Sequence, residues 1–362
     1  MRIAIDASRA TVPRMTGTEH YSRELIRALL SQDTPHEFHL YFRDQPAPGL
    51  FPTAENIHVI PMSRLWTHSR FSAALFQARP AVTFVPAHTL PFIFPGPAVV
   101  TVHDLGFRYF PETHRMIDRQ YLELTTWFSA RRAARVLVDS QATANDLVNI
   151  YHVPPEKVRV VYPGVDAPPM GDVSAVRAKY HLPERYFLFL GTLQPRKNIA
   201  VIVQAYQRWR SANPDDGTGL VLAGNKGWLY DDAWAEGLPG VHMPGYIDDA
   251  DKGALYAGAL ALVFPSLYEG FGFPVVEAMH CGTPVITSNT SSLPEIAGEA
   301  GLLVDPLNVG ALVDKLTRVA GNPEQRKLMR EQGYKQAARF TWYRAAEQTL
   351  AALEEAAQTG QS

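Results

Sequence analysis

Short apolar runs alternate with stretches of helical period along most of this chain. Residues 2–7, 37–42, 57–60, 81–85, 98–102 and 135–139 are strand candidates, several of them separated by helical patterns such as Tyr21, Leu25, Ile26, Leu29 and Leu30. Strands alternating with helices predict a parallel sheet covered on both faces, hence an α/β architecture. Lys157 to Asp166 reads as the last strand of this half running into a linker. The composition then shifts to Ala-Pro-Pro-Met-Gly, which sets a domain boundary near 168. A second series opens with Tyr186-Phe187-Leu188-Phe189-Leu190-Gly191, a continuous apolar run suited to a buried parallel strand, and continues through 220–227, 241–247 and 301–306. Residues 323–357 read as two helices, the last one rich in alanine from Thr341 onward. The expected organisation is therefore 1–167, 168–340 and a terminal helix with a short tail at 341–362.

Three segments admit two readings. Residues 63–79 carry Arg64, Arg70 and Arg79 beside Leu65, Trp66, Phe71, Leu75 and Phe76, which suits a membrane-surface helix or, the preferred reading, ordinary core packing. The proline-rich stretch 89–97 is too interrupted for a helix and either lines an acceptor cleft or forms a buried apolar loop. Asp249-Ala250-Asp251 has the form of a D-x-D metal motif, but aspartates are favourable at a helix start, and a helix over 249–259 with no metal is expected.

At 362 residues the chain is long enough for two domains, and 46% hydrophobic with 19% charged residues reads as soluble and globular. The single cysteine, Cys281, excludes an internal disulfide and is expected to serve packing. No signal-peptide stretch and no run of about 18 apolar residues occurs, so a cytoplasmic protein is expected. The net charge of −2 conceals an asymmetry. Residues 1–165 hold 17 Lys+Arg against 14 Asp+Glu, and the remainder 17 against 22. That balance suits an anionic acceptor or a bilayer surface on the N-terminal side and falls well short of a nucleic-acid footprint.

The chemistry concentrates in residues 266–286. An apolar strand stops, the loop Glu269-Gly270-Phe271-Gly272 follows, and Phe273-Pro274 opens a helix expected over 274–281. Gly270 and Gly272 let the backbone approach a ligand, Pro274 suits the first helical position, and Gly282 can close the helix. A helix start offers unpaired N–H groups and a partial positive charge to a diphosphate, though the dipole contributes only about 0.3–1 kcal/mol, so other groups must help. Glu269 and Glu277 flank that site; carboxylates there would repel phosphate and are better placed as acceptors for sugar hydroxyls. Upstream, Arg196 and Lys197 stand after a strand and before a helix, where a planar fork and a mobile point charge can neutralise a diphosphate leaving group. Val99-Val100-Thr101-Val102 delivers His103 and Asp104 to a strand end, where open parallel sheets bind ligands.

The phrase from Ser266 to Ile286 resembles the E-x7-E signature of the retaining nucleotide-sugar glycosyltransferases of family 4, and Thr192-Leu193-Gln194-Pro195-Arg196-Lys197-Asn198 resembles that family's basic loop. The resemblance covers almost the whole chain, strongly from 186 to 306 and weakly before 100. It implies the GT-B fold, two Rossmann-like domains with parallel sheets facing across a cleft and a C-terminal helix crossing back to the first. It also implies that the first domain binds the acceptor and the second the nucleotide sugar. By resemblance, Gly17 in the loop after the first strand lies over the donor diphosphate, His103 faces the transferred sugar, and Tyr246 or Ile247 passes the nucleotide base. Glu269 would take the sugar hydroxyls, Glu277 the ribose, and Arg196, Lys197, Gly272 and Phe273 the diphosphate. The chain departs from the family in having one glycine near Gly17 and Thr192 where many relatives carry a further arginine, which puts the strength of the basic clamp in question.

The expected activity is transfer of a hexosyl group, mannosyl favoured with GDP-mannose as donor, to a glycan or lipid-linked acceptor, with retention, without cofactor or metal, and with peripheral membrane contact through the N-terminal domain. A non-enzymatic nucleotide-sugar sensor, a GT-B epimerase and a phosphorylase are rivals; a nicotinamide-dependent oxidoreductase is weaker, since no G-x-G-x-x-G follows the first strand.

Overall fold

The computed structural model describes all residues except 13–16, 52, 63–64, 114, 228–230, 232–233 and 360–362. Arg64, the loop before Gly17 and the last residues of the tail therefore lie outside the described residues. The chain divides into two compact units, Met1–Gly164 with Thr341–Ser362, and Val165–Phe340.

The first unit is a seven-stranded parallel sheet of β1 (Arg2–Asp6), β2 (Glu37–Phe42), β3 (Asn56–Val59), β4 (Val82–Val85), β5 (Ala98–Val102), β6 (Arg135–Val138) and β7 (Val158–Val160), in the order β3-β2-β1-β4-β5-β6-β7. Side chains alternate across it, so each face has its own core. Ile3, Ile5, Leu40, Phe42 and Phe84 pack with Tyr21, Leu25 and Leu29 of the helix Gly17–Leu30. Ala4, Tyr41, Val85, Val100, Val102 and Val138 pack on the other side. The terminal helix Trp342–Thr359 belongs to the first of these cores through Ala345, Ala346, Leu353 and Ala356. It enters where Gly164 leaves no room for a Cβ against Trp342.

Residues 63–79 divide between the two readings: Trp66, Phe71 and Leu75 are buried, in a π-helical turn Thr67–Phe71 and the helix Ser72–Ala78, while Leu65 and Phe76 are exposed. The stretch 89–97 is mixed: Leu90 and Phe94 are buried, while Phe92 and Ile93 are exposed.

The second unit is a six-stranded parallel sheet of β8 (Tyr186–Leu190), β9 (Gly219–Ala223), β10 (Val241–Gly245), β11 (Ala261–Phe264), β12 (Val285–Ser288) and β13 (Gly301–Val304), ordered β10-β9-β8-β11-β12-β13. Every residue of β8, β9 and β11 is buried. In both sheets the strand order reverses once, at β1/β4 and at β8/β11, and ligands of open parallel sheets bind beyond the carboxyl ends at such a reversal. The segments that follow β8 and β11 are the Arg196-Lys197 loop and the Glu269 loop.

Candidate active site

After β8 the chain makes a single 3-10 turn, Pro195–Lys197, closed by Asn198 in the left-handed conformation at φ 63°. Asn198 is buried, and its amide donates to the carbonyls of Pro265 (3.1 Å) and Pro306 (2.7 Å), so it ties this turn to the ends of two other segments. The backbone N–H of Leu267 donates to the Arg196 carbonyl at 2.9 Å. A basic loop is thereby fastened along the segment that leads to Glu269.

Glu269 is buried, and both cations converge on it. Lys197 Nζ lies 2.5 Å from Oε1, and Arg196 Nη1 lies 3.0 Å from Oε2 and 2.7 Å from the Tyr268 carbonyl. Burial works to raise the pKa of this carboxyl, but Arg196 and Lys197 outweigh it and hold it below the ordinary glutamate value. Lys197 Nζ also sits 4.8 Å from the centre of the Phe264 ring. The backbone around Glu269 is braced by the loop after β12: its N–H donates to Ser291 Oγ at 3.0 Å, and Ser292 Oγ donates to the carbonyls of Glu269 (3.0 Å) and Phe271 (2.7 Å).

Gly272 stands at the N-cap of the helix Phe273–His280 with φ 115°, where an added Cβ would lie 2.8 Å from Leu293 Cδ2. The conformation calls for glycine there, and any side chain would also have to displace the Leu293 methyl. Glu277, one turn on, accepts from the buried Tyr256 hydroxyl at 2.7 Å. Thr192 and Tyr246 are exposed, Gly17 is the first residue of its helix rather than a loop residue, and Ile247 is buried at 1% exposure. The Ile247 side chain is thus part of the core, and only its backbone could meet a base. Asp251 and Asp248 accept from Lys179 at 2.6 and 2.7 Å and Asp249 pairs with Lys252 at 2.6 Å, around a 3-10 turn Asp249–Asp251 that precedes a helix shorter than expected, Lys252–Ala257. Cys281 caps the Phe273–His280 helix, buried, with its thiol pushed up to about 12 by that burial.

In the first unit the register of β5 on β6 pairs Val102 with Val138, so the next residues out, His103 and Asp139, are neighbours. His103 Nδ1 meets Asp139 Oδ2 at 2.8 Å, Nε2 meets the Pro86 carbonyl at 3.3 Å, and the Tyr21 ring stands edge-on at 4.6 Å. Burial disfavours a charge on His103, yet Asp139 more than offsets this and the imidazole is held above its usual pKa. His88 receives the His103 backbone N–H at 3.3 Å, and burial together with His103 brings His88 down to about 4. Asp104 accepts from the Gly106 N–H at 2.7 Å and shapes the loop.

The structure brings Arg196, Lys197 and Glu269 into contact and sets Gly272 and Phe273 in the same braced loop. Sequence reasoning missed Asp139, Ser291, Ser292, Asn198 and Tyr256. For Asp139 a signal existed, since it ends the strand after the one that ends in His103.

Known proteins resemble this chain in both of its units. The family described as Glycosyl transferases group 1 matches residues 174–336, and Glycosyltransferase Family 4 matches residues 15–167. An O-antigen chain mannosyltransferase B of Escherichia coli is 30% identical, with 94% of this chain and 96% of that protein covered. The chain belongs to glycosyltransferase family 4. This glycosyltransferase is also similar to an MMP alpha-(1->4)-mannosyltransferase of Mycolicibacterium hassiacum, 32% identical over 63% of this chain and 55% of that one. Its fold is GT-B. A sucrose-phosphate synthase from Thermosynechococcus elongatus superposes with a TM-score of 0.73 at 23% identity, covering 97% of each chain.

Proposed function

We propose that this glycosyltransferase moves a mannosyl group from GDP-mannose to a glycan or lipid-linked acceptor, with retention of configuration, in polysaccharide or glycoconjugate synthesis at the cytoplasmic face of a membrane. The observation that carries the donor site is the convergence of Arg196 and Lys197 on Glu269 beside the Gly272 helix start. Mannosyl transfer is supported by the similarity to two mannosyltransferases.

In this reading Arg196, Lys197 and the Gly272 and Phe273 amides hold the diphosphate, Glu269 accepts from donor-sugar hydroxyls, and Glu277 accepts from the ribose. Gly17, Thr192, Tyr246 and the Ile247 backbone complete the donor contacts, and His103 faces the transferred sugar. The acceptor oxygen bonds to the anomeric carbon on the face from which the diphosphate departs. The carbon–phosphate-oxygen bond breaks, and the leaving phosphate takes the acceptor proton. The cations stabilise the charge developing on that phosphate. A donor approaching Glu269 meets a carboxylate already occupied by two cations, so binding exchanges those ion pairs for cation–phosphate and carboxylate–hydroxyl bonds.

The test is a panel of GDP-, UDP-, ADP- and TDP-sugars, scored by calorimetry and released nucleotide, with Lys197→Ala beside the wild type. Binding and slow hydrolysis of one GDP-sugar, both lost in the variant, is the expected result. Preference for another base overturns the GDP assignment, and binding without turnover under any acceptor overturns the transferase reading in favour of a sensor.

A further inference from the structure

The helix Met116–Arg132 in the first unit is turned inside out. Its buried residues are the small or polar Thr125, Thr126, Ser129 and Ala130, whereas Ile117, Leu124 and Trp127 are 76%, 53% and 42% exposed. At about 100° per residue, Ile117, Tyr121, Leu124 and Phe128 form one stripe on the side opposite Thr126 and Ser129. A helix that buries threonines and offers isoleucine, leucine and tryptophan outward has a second partner besides its own domain.

The stripe continues into neighbouring segments. The His68 ring stacks on Phe92 at 4.2 Å and hydrogen-bonds the Tyr121 hydroxyl at 3.0 Å, and Phe92 meets Phe128 edge-on at 5.1 Å. Ile93, 68% exposed, follows Phe92. A cavity of about 600 Å³ opens beside the helix, lined by Phe107, Leu124 and Trp127 together with Arg108 and Arg119.

The charged residues around this apolar field are mainly arginines. Arg70, Arg115, Arg131 and Arg132 are exposed, with Arg131 lying 5.6 Å from the Trp127 ring. Of the acids on the helix, Glu123 pairs with Arg108 at 3.0 Å, and Asp118 is exposed but lies about 100° round from Ile117, off the line of the stripe. Outward aliphatics and aromatics rimmed by arginine are the chemistry of a surface that enters the headgroup layer of an anionic bilayer, with the arginines meeting phosphates. Self-association through the same face would set two arginine rims against each other.

We infer that the outer face of the helix Met116–Arg132, with Phe92 and Ile93, docks this protein on an anionic phospholipid membrane. This deepens the membrane-side role in the proposed function, and it stands or falls apart from the transfer reaction.

The full-length protein is sedimented with phosphatidylcholine vesicles, with and without phosphatidylglycerol, at low and high salt. The wild type should bind the phosphatidylglycerol vesicles and release them at high salt. Ile117→Glu combined with Leu124→Glu should weaken partitioning roughly a hundredfold, and Arg131→Ala about fivefold, with the melting temperature and nucleotide-sugar binding unchanged. Equal binding to neutral vesicles, or an unaltered double variant, overturns the proposal. A wild-type dimer that the double variant converts to monomer assigns the face to a second copy and also overturns it. Vesicle binding without any donor binding would sink the transferase reading while leaving this one standing.

Discussion

The two sheets deliver charge to their carboxyl ends in different ways. In the second unit a carboxylate and two long, mobile cations meet at the strand reversal, on loops held by Asn198, Ser291 and Ser292. In the first, a histidine and an aspartate sit directly on adjacent strand ends, with the Pro86 carbonyl and the Tyr21 ring against the imidazole. The first arrangement can exchange partners, because Arg196 and Lys197 reach Glu269 through flexible stems. The second holds its imidazole in place, because both ring nitrogens already have acceptors within the domain. A site meant to receive a diphosphate and release it is built from the exchangeable kind.

The sharpest way to break this contrast is to remove exchangeable charge. Lys197→Ala and Glu269→Ala should each lower turnover at least about a hundredfold, as loss of one preorganised charge-stabilising group does, in a released-nucleotide assay; near-normal rates in both would end the argument. Gly272→Ala comes next. It forces a side chain into a left-handed position against Leu293, at about 1–3 kcal/mol, and should weaken donor binding in calorimetry more than it lowers the melting temperature.

On the histidine side, Asp139→Asn should cost about 1–3 kcal/mol in chemical denaturation by removing a charged partner from a buried imidazole. It should also change the pH dependence. His103 is held above its usual value, so its pairing stabilises fully below about pH 6.5 and fades as pH rises through the elevated folded value, a slope the variant should lose. Glu269 runs the opposite way. Its carboxyl is held low, so its contribution is present above the ordinary glutamate range and is lost as pH falls through the folded value, and Glu269→Gln should remove that acid-side slope. The smallest effect belongs to Cys281. With its thiol near 12, iodoacetamide at pH 8 should leave the native protein unlabelled, and Cys281→Ala should keep transfer within about twofold.

What could be read beforehand follows the same division. The exchangeable site was legible because Glu269, Gly272, Phe273 and Glu277 are contiguous and Arg196-Lys197 stands at the end of an unmistakable strand. That Glu269 would bind the two cations directly was not, because spacing along a chain says which residues gather and not how they pair when no ligand is between them. Asp139 was passed over because it is 36 residues from His103, and only the β5–β6 register makes them adjacent. Strand existence was legible almost throughout; orientation of faces was not. Ile117, Tyr121, Leu124 and Phe128 have the spacing of a core stripe, and no periodicity can say that the threonines behind them are the buried side.

The return of the helix Trp342–Thr359 to the first sheet sets an order of assembly during synthesis. Residues 165–340 form a contiguous unit whose core takes no segment from outside that span. The unit that starts at residue 1 must wait, with Tyr21, Leu25 and Leu29 partly uncovered, until residues 342–359 have been made. The first sheet is therefore completed after the second, and a stop codon just ahead of Trp342 would damage the sheet that carries His103 while sparing the one that carries Glu269.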